Sequence, residues 1–218
     1  INTYPTVLRL NNGDLIKTAV SGEYICSFTS SDDGKTWTKG GNIAIKTYKG
    51  TDGKTAGAGN MNDKMFQSKN TGRLFYSQNY ESAKEPVDGR HVFCEYFWSD
   101  DNGMTWTQAE TKSWTFGGNN SNDVKWFGEC KILECADGSL RCYNSWNDYG
   151  CAVYSESFDG GVTWGGLIKQ PELICARSSM QFFRDPYGDN ATTYYMVWVY
   201  STPTAVASPM NRSRLSLA

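Results

Sequence analysis

The chain has 218 residues, of which 14% are aromatic and 22 are glycine, and its net charge is −2. This length is enough for one domain with a sizeable core, and the charge provides no attraction to nucleic acid or to an anionic membrane. No run of 18 apolar residues occurs, so the sequence predicts no transmembrane helix. Abundant glycine and aromatic residues favour many short strands joined by tight turns.

Successive apolar segments, separated by turn residues, predict four units that each start with a strand and return as a second and a third strand. The units start near Tyr4, Asp63, Glu129 and Ser179. Their first turns lie at 11–14, 70–72, 137–138 and 186–189. Two longer segments, at 46–61 and 81–90, are rich in Gly, Lys and Asp, and we expect them to be surface loops.

An eight-residue motif, Ser-x-Asp-x-Gly-x-Thr-Trp, occurs three times, at 30–37, 99–106 and 157–164. Asp accepts hydrogen bonds from nearby backbone N–H groups and Gly adopts positive φ, so each copy predicts a tight turn. The Thr and Trp that close each copy start a further strand. Repetition of this kind indicates an array of equivalent units.

Four strands per unit predict an all-β fold, namely a β-propeller of four-stranded blades. We place the blades at approximately 1–60, 61–125, 126–175 and 176–218. Propellers close with about 4–8 blades, and this chain offers three complete blades and most of a fourth. We therefore expect it to form an open arc of a larger propeller whose further blades follow Ala218.

Cysteine and histidine limit the metal and nucleophile chemistry that the chain can support. There are seven cysteines without a Cys-x-x-Cys pair, and His91 is the sole histidine. Zinc sites and Ser–His–Asp triads need residue sets that this sequence does not supply. We expect no metal and no cofactor, and we interpret most of the thiols as small buried hydrophobic groups, with at least one left unpaired because their number is odd.

The repeated motif is the Asp-box, or BNR repeat, and the chain resembles the sialidase superfamily over nearly its whole length. The resemblance is strongest over 128–164, and a second specific stretch combines 177–181, 200–203 and 211–215. It implies a six-bladed propeller, of which this chain corresponds to blades two to five. The activity it implies is that of an exo-glycosidase with a Tyr nucleophile activated by a Glu, an Asp acid/base and three Arg that bind the substrate carboxylate.

Some of these functional residues can be placed in this sequence. The resemblance implies that Glu129 is the activating carboxylate and that Arg212 is one of the three arginines, with Arg214 as the alternative. Asp63 starts the inner strand of its blade and is our candidate for the acid/base. Gln181, at the end of the 177–181 stretch, is assigned to substrate binding.

The chain also departs from the family pattern. Trp146 stands in Asn144-Ser145-Trp146 where the family has Asn-x-Arg, the Arg-Ile-Pro element of the first blade is absent, and the nucleophile Tyr would follow Ala218. The missing arginine predicts that sialic acid is a poor substrate and that the sugar is neutral or differently charged. Trp146 and Trp126 are either core aromatics or stacking platforms for a sugar face.

Two functions follow as expectations. The first is a sialidase-like exo-glycosidase that acts on glycans, and the second is a non-catalytic glycan-binding or structural extracellular propeller module, because a fold does not determine a function. In both, the partner is a glycan or glycoconjugate rather than nucleic acid, and the protein is secreted or extracellular.

Overall fold

The computed structural model describes residues 6–50, 53–58, 65–81, 92–110, 129–144, 150–175, 180–184, 194–200 and 214–217. These residues form seventeen strands, arranged as four antiparallel sheets. The described ranges contain no helix of the length and apolarity that crossing a membrane requires.

The sheets follow one another along the chain. The first consists of β1 (Val7–Arg9), β2 (Leu15–Ser21), β3 (Tyr24–Ser30) and β4 (Thr38–Ile45), and the third of β11 (Lys131–Glu134), β12 (Leu140–Asn144), β13 (Cys151–Ser157) and β14 (Ile168–Ile174). The second contains β5 (Thr47–Lys49), β6 (Thr55–Ala58), β7 (Met65–Gln67), β8 (Leu74–Glu81), β9 (Val92–Ser99) and β10 (Thr107–Gln108). The fourth contains β15 (Gln181–Arg184), β16 (Tyr194–Tyr200) and β17 (Arg214–Leu217).

Successive sheets pack face to face, with one hydrophobic cluster between each pair. The first strands of the sheets, β1, β7, β11 and β15, contact one another in chain order and so form the inner edge of the arrangement. Middle strands such as β9 and β13 are buried on both faces. This succession of antiparallel sheets, with their first strands along one inner edge, confirms the all-β propeller. The inner strands start within three residues of the positions that the sequence predicts.

The three copies of the repeated motif form the same turn, here called the motif turn, between β3 and β4, β9 and β10, and β13 and β14. In the second copy Ser99 Oγ lies 2.8 Å from Asp101 Oδ1, the Gly103 N–H donates to Ser99 Oγ at 2.9 Å, and Thr105 donates through N–H and Oγ1 to Asp101. The same hydrogen bonds recur in the other copies. The motif glycines have φ of 84°, 87° and 85°, which explains why the position requires glycine.

Each of the later motif turns packs on the sheet that precedes it. In the second motif turn, the Gly103 carbonyl accepts a hydrogen bond from Gly41 N–H at 3.0 Å, and Trp106 Nε1 donates to Ser27 Oγ at 3.2 Å. In the third motif turn, the Gly160 carbonyl accepts a hydrogen bond from Arg73 Nη1 at 2.8 Å. A Cβ at Gly40 would lie 2.5 Å from the Gly103 oxygen, so this approach requires a residue without a side chain.

Neighbouring sheets are also joined by hydrogen bonds at their inner hairpins, which are the turns that follow the first strands β1, β7 and β11. Ser68 Oγ and the Lys69 N–H, at the end of β7, donate to the two carboxylate oxygens of Glu134 at 2.5 and 3.1 Å. One sheet earlier, the Asn11 N–H donates to Gln67 Oε1 at 2.7 Å. Because β3 runs antiparallel to β2, the inner hairpins and the motif turns lie at the same end of the sheets.

The expectation of a surface loop over 46–61 is wrong for β5 and β6. They form a hairpin, and β6 continues onto β8 through the pair Ala58 and Tyr80. The physical reason is that β7 pairs only with the first part of β8, so the backbone groups further along β8 need another partner. Tyr48 packs on Tyr80 with ring centroids 5.8 Å apart, which anchors the hairpin. The loop expected at 81–90 lies outside the described residues apart from Glu81, and the blade boundaries stay predictions.

Candidate functional site

Glu129 lies two residues before β11, at the end of that strand opposite to the β11–β12 turn. It is therefore at the other end of the sheets from the motif turns. The residue is 9% exposed, so its carboxyl group is largely removed from water. Burial of a carboxylate is costly unless its surroundings stabilise it, which makes this position chemically distinctive.

The backbone at Glu129 is in the left-handed region, with φ of 60°. Among the described residues, two other non-glycine residues have positive φ, Asp33 and Asn102, and both directly precede the glycine of a motif turn. Asp and Asn tolerate this region because their short polar side chains hydrogen-bond locally, whereas it costs most other residues about 1–2 kcal/mol. Strain of this kind persists where surrounding structure enforces it, and it concentrates at functional sites.

The next residue, Cys130, is held from several sides. Ser77 Oγ, on β8, donates to the Cys130 carbonyl at 2.9 Å within the core. The Cys130 sulfur lies 2.9 Å from Cys94 Sγ, and it accepts hydrogen bonds from Tyr96 Oη at 3.5 Å and Asn144 Nδ2 at 3.6 Å. These contacts join the second and third sheets beneath Glu129 and fix the backbone on its C-terminal side.

The buried tyrosines of this region are neutral hydroxyl groups. Burial raises the pKa of Tyr76 above its ordinary value, and it raises the pKa of Tyr80, to which the nearby Glu95 adds. Burial together with the Cys130 sulfur raises the pKa of Tyr96 well above its ordinary range. A tyrosine that acts as a nucleophile needs a lowered pKa or an adjacent base, so none of these three has the properties of an activated nucleophile.

Of the other predicted site residues, the structure describes Gln181 and Arg214, the alternative to Arg212. Gln181 is the first residue of β15, pairs with Val197 and is half-buried. Arg214 is the first residue of β17 and pairs with Tyr200. Asp63, Trp126, Trp146 and Arg212 lie outside the described residues, and their places at the site stay predictions. Asp63 nevertheless stands two residues before β7, just as Glu129 stands two residues before β11.

Two open cavities lie elsewhere in the described part of the chain. One of about 420 Å³ lies between the third and fourth sheets near their hairpin ends, where Leu133, Tyr143 and Phe182 are among its lining residues. The other, of about 610 Å³, lies beside the third motif turn and is lined in part by Phe158 and Trp164. Neither is lined by Glu129, so we define the candidate site by this residue and not by a cavity.

The sequence analysis missed the residues that support Glu129. Ser77, Cys94 and Tyr96 come from a different sheet, and no motif connects them with position 130. Asn144 did carry a signal, since it begins the Asn-Ser-Trp stretch, although its hydrogen bond to the Cys130 sulfur was not foreseen. The expectation that the cysteines are buried is confirmed for all except Cys135, which is partly exposed.

Comparison with solved structures identifies the fold. A protein of unknown function from Dyadobacter fermentans superposes with a TM-score of 0.60 and 19% identity, over 90% of this chain and 56% of that chain. The Hadza microbial sialidase Hz136 superposes with a TM-score of 0.57 and 18% identity, over 91% of this chain and 42% of the sialidase. This chain has the β-propeller fold of these solved structures.

An α-L-arabinanase from Penicillium chrysogenum, solved with arabinobiose, extends this group, with a TM-score of 0.55 and 18% identity. The match covers 99% of this chain and 60% of the arabinanase. The chain thus spans about half the length of the solved structures that it resembles. No family model matches it, and no curated protein matches it.

Proposed function

We propose that this chain carries part of the active site of a secreted, sialidase-like glycoside hydrolase, with Glu129 as a catalytic carboxylate. The observation that carries the proposal is a buried glutamate, held in a strained conformation, at the start of an inner strand. Inner strands converge at the propeller axis, where one ligand can contact several blades. Fold similarity to a sialidase and to an arabinanase agrees with this assignment.

In the reaction that we propose, the Glu129 carboxylate accepts the proton of a tyrosine hydroxyl as that oxygen attacks the anomeric carbon of the sugar. The leaving-group oxygen is protonated by an acid, for which Asp63 is the candidate. Water then releases the sugar from the covalent intermediate, and the two groups exchange their acid and base roles. Arg212, Gln181, Trp126 and Trp146 are proposed to contact the substrate.

The substrate that we propose is a neutral or differently charged sugar. Arginine recognises a carboxylate through two parallel hydrogen bonds, which tryptophan cannot reproduce. Trp146, in place of one arginine of the sialidase pattern, therefore weakens recognition of sialic acid. The similar arabinanase, solved with arabinobiose, supports this proposal, because arabinobiose has no carboxylate.

The same substitution supports a second function, a glycan-binding module without catalysis. Trp146 offers a flat apolar surface of the kind that stacks on a sugar ring. Under this alternative, Glu129 accepts a hydrogen bond from a sugar hydroxyl and takes no part in bond cleavage.

An assay of the full-length natural protein on fluorogenic glycosides distinguishes the two functions. We expect turnover of a neutral glycoside such as an α-L-arabinofuranoside, and much slower turnover of an α-sialoside. If the protein is a hydrolase, Glu129→Gln should lose this turnover. The matched control is Glu156→Gln on β13, because Glu156 pairs with Arg141 and not with the Glu129 region. Absence of turnover, combined with glycan binding that Trp146→Ala abolishes, would establish the binding module instead. Rapid release of sialic acid would contradict the substrate assignment.

A further inference from the structure

Three cysteine thiols from two sheets meet in the core beneath Glu129. Cys94 lies on β9, Cys130 directly before β11, and Cys142 on β12, and their exposed fractions are 0%, 4% and 1%. The Cys94 and Cys130 sulfur atoms are 2.9 Å apart. Cys142 also hydrogen-bonds to Cys130. Cysteines that merely fill space in a core have no need to converge in this way.

Cys26 illustrates the ordinary arrangement in the same molecule. It is fully buried, and its thiol lies 3.1 Å from the side-chain oxygen of Asn42, a good acceptor. The side-chain contact of the Cys130 thiol at a comparable distance is instead with another sulfur atom, that of Cys94. A disulfide bond is about 2.05 Å long, so the two sulfur atoms need to approach by only about 0.9 Å to form one.

The electrostatic setting makes Cys130 the more nucleophilic of the two thiols. Burial raises its pKa, but hydrogen bonds from Cys142, Cys94, Tyr96 and Asn144 oppose this and hold the pKa well below the ordinary value. Burial raises the pKa of Cys94, and its hydrogen bond to Cys130 raises it further. The thiolate is the attacking species in disulfide exchange, so Cys130 is suited to attack a sulfur at position 94.

We propose that Cys94 and Cys130 form a disulfide bond that links the second and third sheets. The oxidant is a small-molecule disulfide, RSSR, of which glutathione disulfide is the test compound. While the core is still open, the Cys94 thiolate displaces one RS⁻ and forms a mixed disulfide. The Cys130 thiolate then attacks the Cys94 sulfur and displaces the second RS⁻. In sum, two protein thiols and RSSR give one protein disulfide and two RSH.

The bond has a structural consequence at the candidate site. It encloses residues 95–129 in a covalent loop that ends next to Glu129. The strained backbone at Glu129 would then be fixed on one side by a covalent bond in addition to hydrogen bonds. The disulfide does not rest on the proposed glycosidase function, because it follows from the sulfur positions alone.

Peptide mapping provides the direct test. The reduced full chain is refolded with glutathione disulfide, unfolded in guanidinium with N-ethylmaleimide to block free thiols, and digested with trypsin. Trypsin places the three cysteines on separate peptides, 91–112, 126–131 and 142–169. We expect a linked product of the first two peptides, two hydrogens lighter than their sum, which separates on reduction.

Cys26 and Cys142 serve as internal controls, since both should be fully blocked by N-ethylmaleimide in the same sample. The oxidised chain should also unfold at a temperature higher than the reduced chain by roughly 5–10 °C. Recovery of Cys94 and Cys130 in blocked form after refolding, or a link between Cys130 and Cys142, would overturn the proposal.

Two variants separate the chosen pair from the third thiol. Cys142→Ser should retain the linked peptides, whereas Cys94→Ala should abolish the link and make the melting temperature independent of the oxidant. If Cys94→Ala does not fold, the peptide map of the unmodified sequence still decides between the outcomes. A link that persists in Cys94→Ala through another cysteine would contradict the assignment.

Discussion

The two ends of β11 each carry a buried glutamate, and their surroundings differ. Glu134, at the motif-turn end, is 2% exposed and accepts hydrogen bonds from Ser68 and Lys69 of the preceding sheet. Glu129, before the other end, is 9% exposed and sits on a backbone with positive φ. One carboxylate joins two sheets, while the other is held in a conformation that opposes stability.

This difference shows that structural and candidate catalytic roles are separated along the sheets. At the motif-turn end, polar groups are used to connect turns and sheets to one another. At the Glu129 end, the backbone with positive φ lowers local stability, and strain of this kind is common at functional sites. The same substitution at the two glutamates should therefore have opposite consequences for activity and stability.

The largest effect is expected for Glu129→Gln, measured on a glycoside that the full-length protein hydrolyses. Removal of a general base typically lowers the rate by about 10²–10⁴-fold. Because the amide has nearly the same shape, the melting temperature should change by less than about 2 °C. Steady-state kinetics and thermal unfolding on the same preparation test this pair of outcomes. Full activity in this variant would remove Glu129 from the mechanism.

Glu134→Gln should show the reverse pattern. The amide keeps one oxygen for Ser68 or Lys69 but places an NH₂ group against the other donor, which leaves a buried group unsatisfied. This costs about 1–3 kcal/mol, and we expect the melting temperature to fall by roughly 3–10 °C. Any glycosidase kcat of the folded protein should be unchanged. A stability equal to that of the unmodified protein would show that the tie between the sheets is energetically neutral.

A smaller effect isolates the backbone strain. Glu129→Ala and Glu129→Gly both remove the carboxylate, but glycine alone adopts φ of 60° without a steric penalty. We expect the glycine variant to be more stable than the alanine variant by about 1 kcal/mol, measured by urea unfolding. At an ordinary strand position the order is reversed, because glycine is the less favourable residue there. Alanine as the more stable variant would show that the positive φ is not retained in solution.

The smallest effect concerns acid stability at the motif-turn end. Hydrogen bonds from Thr36 and then from Ser30 lower the pKa of Asp32 to about 2, and similar bonds outweigh burial to lower those of Asp101 and Asp159. An Asp in the unfolded chain has a pKa of about 3.9. Between about pH 2 and pH 4, the unfolded chain therefore binds more protons than the folded chain does. The stabilisation is complete above that pH and is lost as the pH falls toward 2.

The triple variant of these three residues to Asn tests this pH dependence, since Asn keeps an acceptor but does not titrate. Melting temperatures measured from pH 6 to pH 2.5 should fall less steeply for the variant than for the unmodified protein. Parallel curves would mean that the motif carboxylates do not contribute to the acid sensitivity.

The sequence predicted the parts of the fold that local chemistry specifies. Each motif turn is defined by hydrogen bonds within eight residues, so it could be recognised three times without any tertiary information. The β5–β6 hairpin was missed because β6 pairs with the part of β8 that β7 leaves unpaired. This pairing joins segments that are separated in the sequence, so no local pattern predicts it. The contact between Cys94 and Cys130 was missed for the same reason, since it requires two sheets to be packed first.

Glu129 itself was predicted from the family resemblance, and the structure places it two residues before the inner strand β11. Its positive φ could not be predicted, because glutamate has no local preference for this region and only the surrounding contacts enforce it. Asp63, Trp126, Trp146 and Arg212 lie outside the described residues, and their places at the site stay predictions.

The packing of each later motif turn on the preceding sheet has a consequence for how the chain is made. A ribosome releases β2, β3 and β4 before the turn at 99–106, whose Gly103 carbonyl rests against Gly41. Every new turn thus emerges when its docking surface has already been synthesised. Folding during translation can then proceed blade by blade from the N-terminus, with each finished sheet acting as the template for the next. Protease resistance of nascent chains should accordingly rise in steps, one for each completed motif turn.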